Sequence, residues 1–264
     1  MSGHSKWATI KRKKAKVDAQ RGKIFTKLIR EILTAAREGG GDVENNARLR
    51  TAVQSARESN MPYENIERAI KRGTGELDGV HYETATFEGY APGGIAILVT
   101  TLTDNRNRTS SEIRHLFTRH GGHMTEPNPV SYMFEKKGVI VIEGAQVGED
   151  VVFEIALDNG ADDVRAEGGI YEIVCPPEAF ETLRGKLQEG KIAYQMAEIS
   201  LYPKTAVKLD RDAAIKVLKL VSALEDLDDV QHVAGNFDIS DEILKAIEGE
   251  LGWSRSPCGV STCP

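Results

Sequence analysis

The sequence predicts an α+β multidomain protein in which an N-terminal helical domain precedes two ferredoxin-like α+β domains, one inserted into the other. Three observations lead there. Helical periodicity marks the first 75 residues, residues 132–202 read as a complete βαββαβ series, and the segments flanking that series are each half of a strand-and-helix layer. The domain limits that follow are 1–75, 77–131 together with 205–245, and 132–204, with 250–264 as a mobile tail.

The helical domain is read from spacing. Phe25, Leu28, Ile29, Ile32, Leu33 and Ala36 recur at helical intervals, and Gly39, Gly40 and Gly41 stop the run. A second helix follows Asp42, which suits an N-cap, with Leu49, Ala52, Val53 and Ala56 inward. A third opens at Pro62, buries Ile66, Ala69 and Ile70, and ends at Gly73. The period then shortens. Tyr82 to Gly89 and Ile95 to Thr103 read as strands around the turn-forming YAPGG. Thr109 and Glu112 have the spacing of a capping box ahead of Ile113, Leu116 and Phe117, and Gly121 and Gly122 close that helix. In the next unit, strand 139–142 precedes a helix bearing Val152, Ile155 and Ala156 and a hairpin around Gly168 and Gly169. A helix from Pro177 with Phe180, Leu183 and Leu187, and strand 197–201, complete it. After Pro203 come an extended TAVKL, a helix presenting Ala214, Val217, Leu218, Val221 and Leu224, and a strand near 230–239. These supply what 77–131 lacks, and that complementarity predicts the insertion.

Charge is divided along the chain. Up to Arg72 there are 17 Lys and Arg against 8 Asp and Glu, a net of +9; taking these from the totals of 34 and 40 leaves 17 against 32, a net of −15. The formal net charge of −6 hides a basic module joined to an acidic one, which points to a polyanionic partner for the first part only. Three cysteines, Cys175, Cys258 and Cys263, are too few and scattered for a disulfide framework. No apolar run reaches the ~18 residues of a membrane span, and none follows the N-terminus as a secretory signal would. A soluble, cytoplasmic protein without a membrane partner is expected.

Candidate contacts with nucleic acid begin in the arm SGHSKWATIKRKKAKV, residues 2–17. Lys6, Lys11, Arg12, Lys13, Lys14 and Lys16 stand there without an acid, and Trp7 offers a flat ring on which an unpaired base could stack. On the first helix Lys23, Lys27 and Arg30 fall within about 60° of one another, opposite the apolar stripe, and would continue the basic surface. Two plainer alternatives are a solvated basic face and an arm folded back onto the acidic part of its own chain. In TDNRNRT, residues 103–109, Arg106 and Arg108 sit where a strand hands over to a helix N-terminus, a place that favours phosphate or carboxylate. A loop capped by Asp104 and Asn105 explains the same residues equally well. No recognition helix with base-reading Asn, Gln or Arg at groove spacing is apparent. His115, His120 and His123 lack the further ligands of a metal site, and Cys175 reads as a small buried hydrophobe. There is no P-loop, no GxGxxG after a strand, no GxSxG and no HExxH. The residues point to a nonenzymatic chain without metal, cofactor or small-molecule substrate.

GHSKWATIKRKKAKVDAQRGKIFTKLIREI, EGYAPGG, LTDNRNRT, VSYMF and DVQHVAGNFDI, in that order, resemble the YebC/PmpR family over about residues 1–245. The resemblance implies a helical N-terminal domain and two α+β domains, one inserted in the other. It also implies action on nucleic acid. Members are described as DNA-binding transcriptional regulators, and relatives, among them a mitochondrial translational activator, act in translation, which would mean contact with ribosomal or transfer RNA. The motif positions carried over are Lys6, Trp7, Lys11, Arg12, Lys13, Lys14, Lys16, Lys23, Lys27, Arg106 and Arg108. Where members have a glycine-rich stretch before the YMF strand, this chain reads HGGHMTEPNPV, and its cysteine-containing tail lies outside the shared pattern. A DNA-binding transcriptional regulator is the expectation, with a ribosome-associated translation factor as the alternative.

Overall fold

The computed structural model describes residues 18–144, 147–167 and 169–247. Helices α1 (Asp18–Gly39), α2 (Ala47–Glu58) and α3 (Tyr63–Gly73) form an N-terminal bundle in which Ile32, Ala35 and Ala36 pack with Leu49, Val53, Ile66 and Ala69. The approach of α1 and α3 is close. A Cβ on Gly73 would stand 2.5 Å from the Leu33 carbonyl oxygen, so only glycine fits where α3 ends.

The N-cap of α2 is Asn46 rather than Asp42. Its Oδ1 accepts from the Leu49 N–H at 3.0 Å, and its Nδ2 donates to the carbonyls of Ala35 and Gly40, each at 2.8 Å. Asp42 instead holds a turn, accepting from the Glu44 N–H and the Asn45 amide. The distinction is chemical: an amide, unlike a carboxylate, can cap one helix while donating to carbonyls at the end of another. Asn46→Ala and Asn46→Asp are each expected to cost about 2 kcal/mol in urea unfolding, Asp no less than Ala because its carboxylate would face two carbonyl oxygens. An Asn46→Asp midpoint equal to wild type would show that the amide donors contribute nothing.

β1 (Glu83–Ala91) and β2 (Ile95–Thr103) form the expected hairpin, turning at Pro92, Gly93 and Gly94, where the glycines take φ of +84° and +75°. α4 (Arg106–Arg119) follows, capped by Asn105, whose side chain accepts from the Arg108 N–H at 3.1 Å. The capping box read at Thr109 is therefore not the start of this helix, and Thr109 is buried inside it. β3 (His123–Met124), β4 (Phe134–Glu143), α5 (Glu149–Asp158), β5 (Asp163–Glu167), β6 (Ile170–Cys175), α6 (Pro177–Glu189) and β7 (Tyr194–Pro203) come next. Then come β8 (Val207–Lys208), α7 (Arg211–Glu225), β9 (Val230–Gly235), β10 (Phe237–Asp238) and α8 (Asp241–Ile247).

Two four-stranded antiparallel sheets carry most of the rest of the described residues, beside a two-stranded parallel pairing of β8 with β10. One has the order β5-β6-β4-β7, with Val152 of α5 and Phe180 of α6 packed on Ile140, Ile142 and Ile173, which is a ferredoxin-like arrangement. The other has the order β3-β1-β2-β9, with α4 and α7 over Ile95, Ile97 and Val99. Its elements run ββαβ and then αβ, so it is an α+β layer without the ferredoxin-like strand order expected of both. The tight Pro-Gly-Gly turn makes β1 and β2 immediate neighbours, and later strands add only at the outer edges. β9 pairs with β2 from Ile97↔Gly235 to Thr101↔Val230, although 134–203 lie between them in sequence. Ala96, Leu98, Phe134 and Ala234, with Leu201 at their margin, pack the two sheets together.

The stretch 125–131, TEPNPVS, is held from within the first sheet. Glu88 of β1, 5% exposed, accepts from the backbone N–H of Asn128 at 3.0 Å, Val130 at 2.7 Å and Ser131 at 3.1 Å. One carboxylate thus satisfies three amides of a segment whose prolines, Pro127 and Pro129, have no N–H to offer. No helix among the described residues is long and apolar enough to cross a membrane.

Candidate nucleic-acid interface

Lys6, Trp7, Lys11, Arg12, Lys13, Lys14 and Lys16 lie outside the described residues, as do Cys258 and Cys263. The remaining predicted contacts are placed in detail. Lys23, Lys27 and Arg30 share one face of α1, as their spacing predicts, but that face meets the chain's own acidic segment, residues 225–229, at the C-terminal end of α7. Lys23 Nζ donates to the Asp226 carbonyl at 3.3 Å and lies 3.7 Å from its carboxylate, and Lys27 Nζ donates to the Glu225 carbonyl at 2.7 Å. Arg30 Nη1 donates to the Asp228 carbonyl at 2.6 Å and to Asp229 Oδ1 at 2.7 Å, while its guanidinium sits 5.1 Å over the Tyr82 ring. The carbonyls that α7 leaves without helical partners, at the negative end of its dipole, form much of this seat. A return onto the acidic part of the same chain, one of the plainer alternatives for the arm, is what the helix cations do.

Asp229 is the centre of the contact. It is 5% exposed, and its second oxygen accepts from Arg108 Nη2 at 2.7 Å and from the Thr109 hydroxyl at 2.6 Å. The Thr103 hydroxyl stands 3.3 Å from the same oxygen and 2.8 Å from Thr109 Oγ1. Burial alone would raise the Asp229 pKa, yet the hydrogen bonds from Thr109, Arg108 and Arg30 outweigh it and hold the carboxyl below the usual aspartate range. Arg108 also pairs with Asp104 at 2.7 Å. TDNRNRT is thus divided in use: Thr103, Arg108 and Thr109 grip Asp229, Asn105 caps α4, and Arg106 stands exposed.

Sequence reasoning missed Asp229 and residues 225–228, although a signal is present. Four acids in the five residues EDLDD complement the basic face of α1, and Asp229 opens the DVQHVAGNFDI motif. The histidines are dispersed: His115 is exposed on α4, His120 caps its C-terminus, and His123 lies with its ring 5.7 Å from that of Tyr90. Among the described residues no group of three or more His, Cys, Asp or Glu could hold a metal ion. Cys175 is fully buried, and burial pushes its thiol up to about 11.

Residues 5–76 match a family described as TACO1/YebC protein N-terminal domain, and residues 82–237 match one described as TACO1/YebC second and third domain. A protein of Pelotomaculum thermopropionicum named "Probable transcriptional regulatory protein" is 54% identical over 243 residues, 91% of this chain and 100% of its own length. A protein of the same name from Syntrophobacter fumaroxidans is 54% identical over 248 residues, 94% and 100% of the two lengths. Among solved structures, the crystal structure of a conserved hypothetical protein from Aquifex aeolicus is 50% identical, covers 87% of this chain and 95% of that one, and superposes with a TM-score of 0.79.

Proposed function

The chain belongs to the TACO1/YebC family, and from that premise we propose that it is a nonenzymatic, cytoplasmic regulator of gene expression that works by binding DNA in transcriptional control. The observation that carries this reading is the arm: six Lys and Arg and no acid over residues 2–17, ahead of an otherwise acidic chain. The names of relatives that match over their whole length support the regulatory role. Because α1 gives its cations to residues 225–229, the first contacts with phosphate fall to Lys6, Lys11, Arg12, Lys13, Lys14 and Lys16, with Trp7 beside them. Lys23, Lys27, Arg30 and Arg108 would join only where the docking opens. The acidic α+β part, in which we take 132–204 as inserted between 77–131 and 205–245, gives shape; the pairing of β9 with β2 supports that division.

Replacing Lys11, Arg12, Lys13 and Lys14 by alanine is expected to flatten the plot of log affinity for duplex DNA against log salt by about 0.9 for each phosphate no longer neutralised. An unchanged slope would rule out the arm. Sequencing nucleic acid crosslinked to the full chain in cells is expected to return mainly promoter DNA. Recovery mainly of ribosomal RNA would replace transcription with translation as its site of action.

A further inference from the structure

α4 and α7 lie side by side on one face of the first sheet. They run antiparallel, because each is joined directly to one of the antiparallel neighbours β2 and β9. Beneath α4, Thr109, Ile113 and Phe117 are buried. The opposite side of this 14-residue helix presents Asn107, Ser111, Arg114 and Thr118, all exposed. At 100° per residue those four fall within a sector of about 60°, a single line along a helix ~21 Å long. They are residue types that hydrogen-bond base edges: Arg with guanine, Asn with adenine, Ser and Thr with several bases.

Cations flank that line. Arg106 and Arg119 of α4 and Lys216 and Lys219 of α7 are exposed, and none of them has an ion-pair partner among the described residues. The exposed acids of the two helices are Glu112 and Asp212. Arg119 and Lys219 converge near His120, where, after burial, their charges further lower the imidazole pKa. The contrast with α1 is instructive. The fold neutralises Lys23, Arg30 and Arg108 against residues 226–229 and leaves this second group of cations turned outward. The line between them has no apolar residue, which suits a polar, charged partner rather than a protein surface.

We infer that the solvent face of α4, flanked by Lys216 and Lys219 of α7, is a second docking surface for double-stranded DNA, with Asn107, Ser111, Arg114 and Thr118 facing the bases in the major groove. The inference rests on the nucleic-acid reading above and adds to it the part of the chain that reads sequence. The arm supplies affinity without sequence information, whereas a helix of this composition supplies discrimination.

The test uses the full chain and a random pool of DNA duplexes. Wild type is expected to enrich one sequence, and Arg114→Ala and Asn107→Ala to reduce its preference over arbitrary duplex by roughly five- to a hundred-fold. Lys216→Ala combined with Lys219→Ala should weaken binding to all duplexes and flatten the salt slope by about 0.9 per phosphate released. All four positions are exposed, and unchanged thermal melting confirms that the variants fold. Failure of wild type to enrich any sequence, or an unaltered preference in Arg114→Ala, overturns the surface as a base reader. If neutralising the arm abolishes DNA binding while the α4 and α7 variants bind like wild type, the nucleic-acid reading stands and this surface falls. If wild type binds no nucleic acid at all, both fall. Face-dependent binding to folded RNA but not to duplex DNA overturns DNA as the occupant.

Discussion

Asp229→Ala is expected to destabilise the chain by about 3 kcal/mol or more and to loosen α1 from the α+β layer. The magnitude follows from what is left behind. Arg30, whose side chain is 14% exposed, loses its carboxylate, and Thr103, Thr109 and Arg108 lose a shared acceptor. Amide exchange in α1 should accelerate alongside the fall in urea midpoint. Asp229→Asn should weaken the docking less, and it should raise salt-sensitive affinity for duplex DNA, since Arg30 and Arg108 become available to phosphate. The pH dependence has a definite sign. The Asp229 pKa is lower folded than unfolded, so its contribution is complete above the unfolded value of about 3.9 and is lost as pH falls through the folded value. The stability gap between wild type and Asp229→Asn should therefore be flat from about pH 5 upward and close in acid. A gap that closed near neutrality, or α1 exchange unchanged in Asp229→Ala, would mean that Asp229 does not hold the two parts together.

Glu88→Gln should cost about 2 kcal/mol, a large effect for so small a change in shape. The carboxylate now serves three amides with two oxygens. Glutamine keeps one oxygen and turns an NH2 toward a backbone N–H, so at least one buried donor loses its acceptor and the charge-assisted character of the others is gone. The loss should be local as well as global: the amides of Asn128, Val130 and Ser131 are expected to exchange faster than those of the paired strands. If Glu88→Gln melts with wild type and these amides stay protected, the prolines alone set the path of 125–131.

Elements are legible where burial follows spacing. Leu49, Ala52, Val53 and Ala56, read as inward from their intervals alone, are the buried residues of α2. Helix starts are less so. Asp42 and Asn46, or Asn105 and Thr109, are all plausible caps within their own segment. The choice is made elsewhere, by the carbonyls of Ala35 and Gly40 in one case and by the hydroxyl of Thr109 reaching Asp229 in the other. Arg30 illustrates the larger limit. Its helix, its face and its charge can be read from neighbours in sequence, but its partner lies 199 residues away. The line through Asn107, Ser111, Arg114 and Thr118 is hidden for a related reason: residues become a face only when packing decides which side of the helix is covered.

The pairing of β2 with β9 has a consequence for how the chain comes into being. The helical bundle and the sheet built within 134–203 close from nearby residues, whereas the first sheet gains its fourth strand only from 230–235. During synthesis β2 therefore waits with an open edge, and α1 waits with its cations unseated, until residues 225–235 emerge. The nascent protein is at its most adhesive, toward anions and other strand edges alike, immediately before residues 225–235 arrive, and that late-made segment is the one that quiets it.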